Sequence, residues 1–372
     1  MLKEDDSADF IKAMEVEVAA HEKRDHWEVV KRSSVPLGTK TIQAIWSFKR
    51  KRFPDGIINK FKARLYAHGG MQQCGVNYWE TYAPVVNWIS VRFLLVLSEI
   101  VGLESRAIDF VLAFLQAELD VPVYMELPIG MEVRGSEQNR KMYLLRLKRS
   151  LYGLKQASAN WYDMLKKGLQ RRGFQESVAD PCIFLRDNMI ILCYVDYCIL
   201  LSPKKEIIDE FLISLKHGPE QFNFTNEGGI ERYLGVEITR LDDGSGFVME
   251  QPFLIECILQ AAEIDTKITN DRPTPVVGPL LSRDENGPQR KHTWKYRTLT
   301  GMLGYLQLTS RPDISMATHQ CARFNNAPML CHERAIKRIC KYLLGTMDKG
   351  MIFRPNMDRG LECHVDADFA GG

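Results

Sequence analysis

Two aspartates stand in unusually apolar company. Asp196 lies inside Met189-Ile-Ile-Leu-Cys-Tyr-Val-Asp-Tyr-Cys-Ile-Leu-Leu201, and Asp109 inside Ala107-Ile-Asp-Phe-Val-Leu-Ala-Phe-Leu115. A carboxylate in such a run costs free energy unless it sits at a turn or meets a cation. The economical structure for the first is a β-hairpin with Val195-Asp196-Tyr197 at its tip; for the second it is a short buried strand. Two aspartates on adjacent strands make a divalent-metal site, because Mg²⁺ prefers one or two carboxylates plus substrate phosphates to a full protein cage. Such a pair can hold two ions ~3.5–4 Å apart across a phosphoryl transfer. Spacing alone also leaves the plainer alternative open, in which each acid forms a turn or an ion pair.

The charge distribution bears on the same question. A net charge of +2 does not announce a polyanion binder. Between Lys40 and Arg64, however, eight bases (Lys40, Lys49, Arg50, Lys51, Arg52, Lys60, Lys62 and Arg64) face one acid, Asp55. A second cluster runs from Lys141 to Arg172 and is opposed only by Asp163. Together they could line one polyanion groove, or they could be two solvated faces that never meet. Nine cysteines, none spaced C-x-x-C, read as reduced thiols rather than disulfides. Cys193/Cys198 and Cys331-His332/Cys340 lack zinc-ligand spacing and read as buried thiols, with His319 and His332 in packing or capping roles.

The elements that must position these residues follow from periodicity. Asp9 to Val30 reads as a helix, with Phe10, Met14 and Val18 about one turn apart. Thr41 to Phe53 and Ile57 to Tyr66 read as two strands around a Pro54-Asp55-Gly56 turn, which makes a basic hairpin. Val91 to Val101 is an apolar helix and Ala107 to Val111 a strand. Asn160 to Leu169 is an amphipathic helix with a basic outer face, stopped at Gly173. Ile336, Ile339, Cys340 and Leu343 form a helix face opposite Arg334, Lys337, Arg338 and Lys341. Asp271 to Gln289 reads as a linker. The fold class is therefore α+β. With 372 residues, 45% hydrophobic and 26% charged, the chain is globular rather than disordered, collagen-like or coiled-coil, and long enough for two to three domains of ~100–200 residues each. No apolar run approaches the ~20 residues of a membrane span, and no secretory signal is visible, so a cytoplasmic or nuclear location is expected.

Longer strings carry more. Lys62-Ala-Arg-Leu65 precedes Tyr78-Trp-Glu-Thr-Tyr-Ala-Pro-Val-Val86, and Leu147-Lys-Arg-Ser-Leu-Tyr-Gly-Leu-Lys-Gln-Ala157 precedes Trp161-Tyr162. Tyr194-Val-Asp196, Tyr233-Leu-Gly-Val-Glu-Ile238, Arg311-Pro-Asp-Ile314, Tyr342-Leu-Leu-Gly-Thr346 and His364-Val-Asp366-Ala-Asp-Phe-Ala-Gly371 follow in order. From about Trp27 to the last residue the chain resembles the reverse transcriptase of copia-type long-terminal-repeat retrotransposons. The resemblance implies a right-hand polymerase with an antiparallel palm sheet. Fingers, palm and the start of the thumb would occupy 20–265, a thumb or connection-like region 266–355, and a truncated ribonuclease H start 361–372. It implies template-directed addition of deoxynucleoside triphosphates to a primer on an RNA or DNA template. Two Mg²⁺ ions (or Mn²⁺) would lie at Asp109 and Asp196. Lys62 and Arg64 would reach the triphosphate, Phe114 would exclude a 2′-hydroxyl, and Gly153 and Lys155 would contact nucleotide and template. Tyr233, Leu234 and Gly235 would form the primer grip. Neither a membrane nor a disulfide partner is implied, and a virus-like particle would house the protein in an intact element.

The chain departs from that family where chemistry is concentrated. The family's hairpin carries two consecutive aspartates, and here Tyr197 takes the place of the second. Losing one preorganised electrostatic group typically costs ~10²–10³ in rate. His68, Gly70, Val111, Gln116-Ala117 and Ser158-Ala159 also differ from the usual pattern. Asp366 would be the first acid of a ribonuclease H whose remaining acids fall beyond Gly372, so no ribonuclease H activity is expected. The expectation is a polymerase of low or no activity, with a non-catalytic nucleic-acid-binding relic or an expressed pseudogene product as the alternatives.

Overall fold

Alternating and 3.6-residue patterns resolve into strands and helices close to where periodicity puts them. The computed structural model describes residues 6–52, 58–131, 140–218, 220–267, 272–284 and 286–356. The chain runs from Ser7–Lys23 (α1) into Trp27–Lys31 (β1), then Ala44–Arg52 (β2) and Ile58–Ala67 (β3). Trp88–Val101 (α2) leads to Glu104–Phe110 (β4), a single helical turn at Ala113–Gln116 (α3), Glu118–Glu126 (β5) and Tyr143–Arg149 (β6). Ala157–Gln170 (α4) precedes Gln175–Glu176 (β7), Ile183–Arg186 (β8), Met189–Tyr194 (β9), Tyr197–Ser202 (β10) and Lys205–His217 (α5). Next come Phe224–Gly228 (β11), Arg232–Tyr233 (β12), Val236–Arg240 (β13), Phe247–Glu250 (β14) and Pro252–Ala261 (α6). Tyr296–Thr309 (α7), Ser315–Ala322 (α8), Leu330–Leu344 (α9) and Met351–Phe353 (β15) complete the α+β architecture. The turn at Pro54-Asp55-Gly56 and the ribonuclease H strand around Asp366 lie outside the described residues.

The chain divides into two units. The first comprises Met1–Val86 with Arg106–Gly228, and the second Asn87–Ser105 with Gly229–Gly372. At the centre of the first unit is a six-stranded sheet of order β11-β4-β10-β9-β8-β7. Phe110 and Trp161 meet edge to face there at 5.1 Å, and Phe222 lies 5.5 Å from Phe110, so α4 is held against the strand that carries Asp109. A three-stranded sheet, β1-β6-β5, and the β2-β3 hairpin share a second core around Leu65, Val123, Met125 and Leu145. In the second unit, α6 to α9 pack around Ile258, Leu303, Leu306, Ile336 and Ile339, and a four-stranded sheet has the order β12-β13-β14-β15. The α9 face expected from Ile336, Ile339, Cys340 and Leu343 is fully buried. His332 caps that helix, its Nδ1 accepting the Met329 amide at 2.9 Å, whereas His319 is exposed.

One expectation needs correcting. The helix read through Val30 stops at Lys23, because Asp25 adopts a left-handed φ of 53° and the chain turns back to pair Trp27 with Leu147. At that reversal the buried rings of His21 and His26 meet, Nδ1 to Nδ1, at 2.9 Å. Burial, together with the charges of His21, Arg24 and Arg149, pushes the His26 pKa down to about 4, against a smaller opposing pull from Asp25. An unfolded chain therefore takes up this proton first as the pH falls. Stability is fully present above about pH 6.5 and is lost progressively down to about pH 4, by at most about 3 kcal/mol. Urea unfolding across that window should show this slope, and His26→Gln should flatten it.

Candidate active site

The hairpin that carries Asp196 forms because two apolar runs pair in strict register, Tyr194 with Tyr197 and Cys193 with Cys198. Its two-residue loop places Val195 at φ 55°, a region a β-branched residue adopts only under strain of order 1–3 kcal/mol. Two hydrogen bonds hold it there. The Trp161 indole Nε1 donates to the Val195 carbonyl at 2.5 Å, and the Phe110 amide donates to the Asp196 carbonyl at 2.7 Å. The second bond sets Asp109 and Asp196 beside one another on β4 and at the tip of the neighbouring hairpin. The two thiols Cys193 and Cys198 are buried beneath it.

Electrostatics agree with that adjacency. Burial raises the Asp109 pKa, and the charges of Asp196 and Glu227 raise it further. Asp196 is also raised by burial, although its own backbone amide and Arg64 pull in the opposite direction. Tyr197 is pushed above its ordinary value by burial, then by Glu227 and Asp109, so its phenol is neutral at physiological pH. Glu227 was not legible as a site residue. It sits at a bulge in β11, between Asn226 opposite Ile108 and Gly228 opposite Ala107, and Thr225 Oγ1 donates to its carboxylate at 2.5 Å. Only the long-range pairing of β11 with β4 brings it near Asp109.

The basic hairpin presents two chemically distinct faces. On one, Phe48 and Phe61 pack edge to face on Phe10 of α1 at 5.1 and 5.0 Å. On the other, a pocket of about 230 Å³ is lined by Ser47, Lys49, Lys51, Lys62, Arg64 and Tyr66. Lys49 lies directly opposite Lys62, and Lys51 opposite Lys60. Like charges in cross-strand register destabilise a sheet, and an anion between them removes that cost. Burial first, then Arg64, Lys51 and Lys60, lower the Lys62 pKa. Among the described residues no carboxylate lies within salt-bridge distance of Lys49, Lys51, Lys62 or Arg64. The second basic cluster behaves differently. Lys148 pairs with Asp25 at 2.7 Å and Arg149 with Glu118 at 3.2 Å, while Lys166 and Arg171 pair with Glu176 and Glu220. Four of the nine bases in this cluster are thus paired with carboxylates.

Between these two features lie Phe114 and the turn at Gly153. Leu112, at φ 53°, turns the chain out of β4 into α3 and presents a half-buried Phe114, whose ring lies 5.5 Å from Tyr152. The Arg64 guanidinium lies over the Tyr152 ring, 5.2 Å from its centroid. Gly153 has φ +90°, and a Cβ there would come within 2.3 Å of the Ala67 carbonyl oxygen, so only glycine fits. The Lys155 amide donates to Gln72 Oε1 at 2.8 Å, and its ammonium lies 5.5 Å from the Tyr78 ring. Gln72 Nε2 donates to Gln156 Oε1 at 2.9 Å, and Gln156 Nε2 to the Asn77 carbonyl at 2.9 Å. This buried amide network, which carries the Gly153–Lys155 turn, escaped the sequence reading. Gln116 closes the neighbouring loop by donating to the Val111 and Asn223 carbonyls, both at 2.9 Å.

Tyr233, Leu234 and Gly235 belong to the second unit. Leu234 and Gly235, at φ 51° and 80°, form the tight turn between β12 and β13, with the Tyr305 hydroxyl donating to the Leu234 carbonyl at 2.5 Å. Tyr233 is fully buried, edge-on to Trp88 at 5.7 Å.

Among the described residues no group of three His, Cys, Asp or Glu side chains is arranged to hold a metal, and no helix is long and apolar enough to cross a membrane. Two adjacent carboxylates with raised pKa values still fit a hard divalent cation, since substrate phosphates and water complete such a shell.

Comparison with known proteins follows the same lines. Residues 24–277 match the family model described as reverse transcriptase (RNA-dependent DNA polymerase). The chain is 30% identical to a retrovirus-related Pol polyprotein from transposon TNT 1-94 of Nicotiana tabacum, over 97% of its own length and 27% of the relative's. It is 31% identical to the corresponding polyprotein from transposon RE1 of Arabidopsis thaliana, over 96% of this chain and 24% of that one. It thus spans about a quarter of the length of these relatives. Among solved structures, a foamy viral protease–reverse transcriptase in complex with double-stranded DNA aligns with a TM-score of 0.44 at 11% identity, over 90% of this chain and 48% of that one. With two thirds of its residues under the family model, the chain belongs to the reverse transcriptase family, and its relatives place it with the copia-type Pol polyproteins of retrotransposons.

Proposed function

We propose that this chain is the polymerase portion of a retrotransposon Pol polyprotein, extending a primer on an RNA or DNA template by two-metal nucleotidyl transfer, with its rate held low by Tyr197. The observation that supports this reading most is the juxtaposition of Asp109 and Asp196 through the Phe110–Asp196 backbone bond. Asp109 and Asp196 would hold the divalent cations, which when bound neutralise charge on the triphosphate and acidify the primer 3′-hydroxyl. Lys62 and Arg64 would bind the triphosphate in the basic pocket, where the unrelieved like charges favour an anion. Phe114, braced by Tyr152, would lie under the sugar and exclude a 2′-hydroxyl. Gly153 and Lys155 would bring backbone and ammonium to nucleotide and template. Tyr233, Leu234 and Gly235 would form the primer grip. Tyr197 contributes neither charge nor a metal ligand at neutral pH, because its phenol holds its proton. In this reading, 20–265 carries the fingers, the palm and the start of the thumb.

Primer extension on a homopolymer RNA template, with Mg²⁺ or Mn²⁺, tests the proposal alongside salt-dependent binding of the template–primer. The expected result is salt-sensitive binding with slow extension that Asp196→Asn abolishes. Fast extension that survives Asp196→Asn overturns the assignment of the acids. Binding with no extension under either metal favours the non-catalytic reading, for which Tyr197 is the motivating observation.

A further inference from the structure

We propose that the face of the second unit between the 272–281 segment and α8–α9 is a docking groove for an acidic, aliphatic peptide segment of a partner protein. The groove encloses about 650 Å³, within the ~300–1,000 Å³ range of ligand-binding clefts. Its walls are mostly aliphatic: Val276, Val277 and Leu280 from the segment, Met316 from α8, and Ala335 from α9. Val277 and Met316 are 61% and 54% exposed, and with Val276 and Leu280 they make one contiguous apolar surface rather than scattered single side chains.

Its rim is cationic. Arg272, Arg334, Arg338 and Lys341 surround the opening, and three of them recur along α9 on the side opposite its buried face. Among the described residues no carboxylate lies within salt-bridge distance of any of the four. Arg338 is prefixed in place, donating to the Thr274 carbonyl at 3.1 Å and to Thr274 Oγ1 at 3.0 Å, which ties the segment to the helix and keeps the groove open. Lys337 is engaged with His292 instead.

The lining decides between partners. It contains no aromatic ring, so it offers unstacked bases no platform. A nucleic-acid backbone would satisfy the rim but leave the aliphatic walls wet. A peptide alternating acidic and aliphatic residues satisfies both at once, its carboxylates on the rim and its aliphatic side chains in the groove. This inference does not depend on the polymerase reading.

Fluorescence anisotropy of the full chain with a labelled synthetic peptide alternating Glu and Leu tests it. A micromolar dissociation constant is expected. It should weaken about tenfold or more in the Arg334→Glu/Lys341→Glu double variant and, independently, in Val277→Asp. A peptide with Leu replaced by Ser should bind at least about tenfold more weakly. Thermal melts by circular dichroism serve as the folding control, since these side chains lie at the surface. Absence of binding at low salt overturns the proposal, as does binding that neither variant changes. So does an RNA oligonucleotide that binds in a manner sensitive to the double variant while the peptide does not.

Discussion

Tyr197→Asp is expected to raise the rate of primer extension about 10²–10³-fold, the amount that one preorganised charged group is typically worth at a site where charge develops. The residue lies one position past Asp196 and opposite Tyr194 in the hairpin, with its phenol held neutral by burial and by the nearby charges of Glu227 and Asp109. A carboxylate there would restore a third acid beside the other two. The same change should lower the stability of the metal-free protein by about 1 kcal/mol, because it adds a like charge to a cluster in which Asp109 is already raised by Asp196 and Glu227. Divalent cation should recover that loss. Steady-state extension and urea unfolding, each with and without Mg²⁺, read the two effects separately. An unchanged rate would locate the defect elsewhere, at Ser158-Ala159 in the first turn of α4 or at Gly70.

The second large effect is expected at the basic hairpin and carries opposite signs for affinity and stability. Lys62→Glu should weaken deoxynucleoside triphosphate binding by about 10²-fold, through loss of one charge-assisted contact and gain of a repulsion. It should also stabilise the free protein by a few tenths to about 1 kcal/mol, because Lys49 lies directly opposite and the charges of Arg64, Lys51 and Lys60 already act on Lys62. Fluorescent-nucleotide titration and urea unfolding of the same variant check both. A purely structural lysine would show the reverse: unchanged nucleotide affinity and lower stability.

The contrast between the two basic clusters shows where sequence reading succeeds and where it stops. Local period gave the β2–β3 hairpin, α4 and the α9 core face, because each depends on neighbours a few residues away. Charge counts could not separate a solvated face from a working one, because that depends on partners distant in the chain. Asp25, Glu118, Glu176 and Glu220 pair with four bases of the second cluster, while among the described residues no carboxylate lies within salt-bridge distance of Lys49, Lys51 or Lys62. The α1 terminus was misread for a related reason: the left-handed Asp25 and the pairing of Trp27 with Leu147 are tertiary facts that override a helical period. Asp109 and Asp196 were legible because a carboxylate in an apolar run is locally anomalous. Glu227 was not, since its surroundings in the chain are polar and only a bulged strand pairing carries it to the site. The Gln72–Gln156–Asn77 network was hidden because amides separated by 84 and 79 positions leave no local mark.

Titration of Mn²⁺ by electron paramagnetic resonance, in the presence of template–primer and a deoxynucleoside triphosphate, tests most directly whether the palm acids form a cation site. The account predicts weak binding in the unaltered chain, loss of that binding in Asp109→Asn and in Asp196→Asn, and tighter binding in Tyr197→Asp. Identical Mn²⁺ affinity in all four proteins would contradict it.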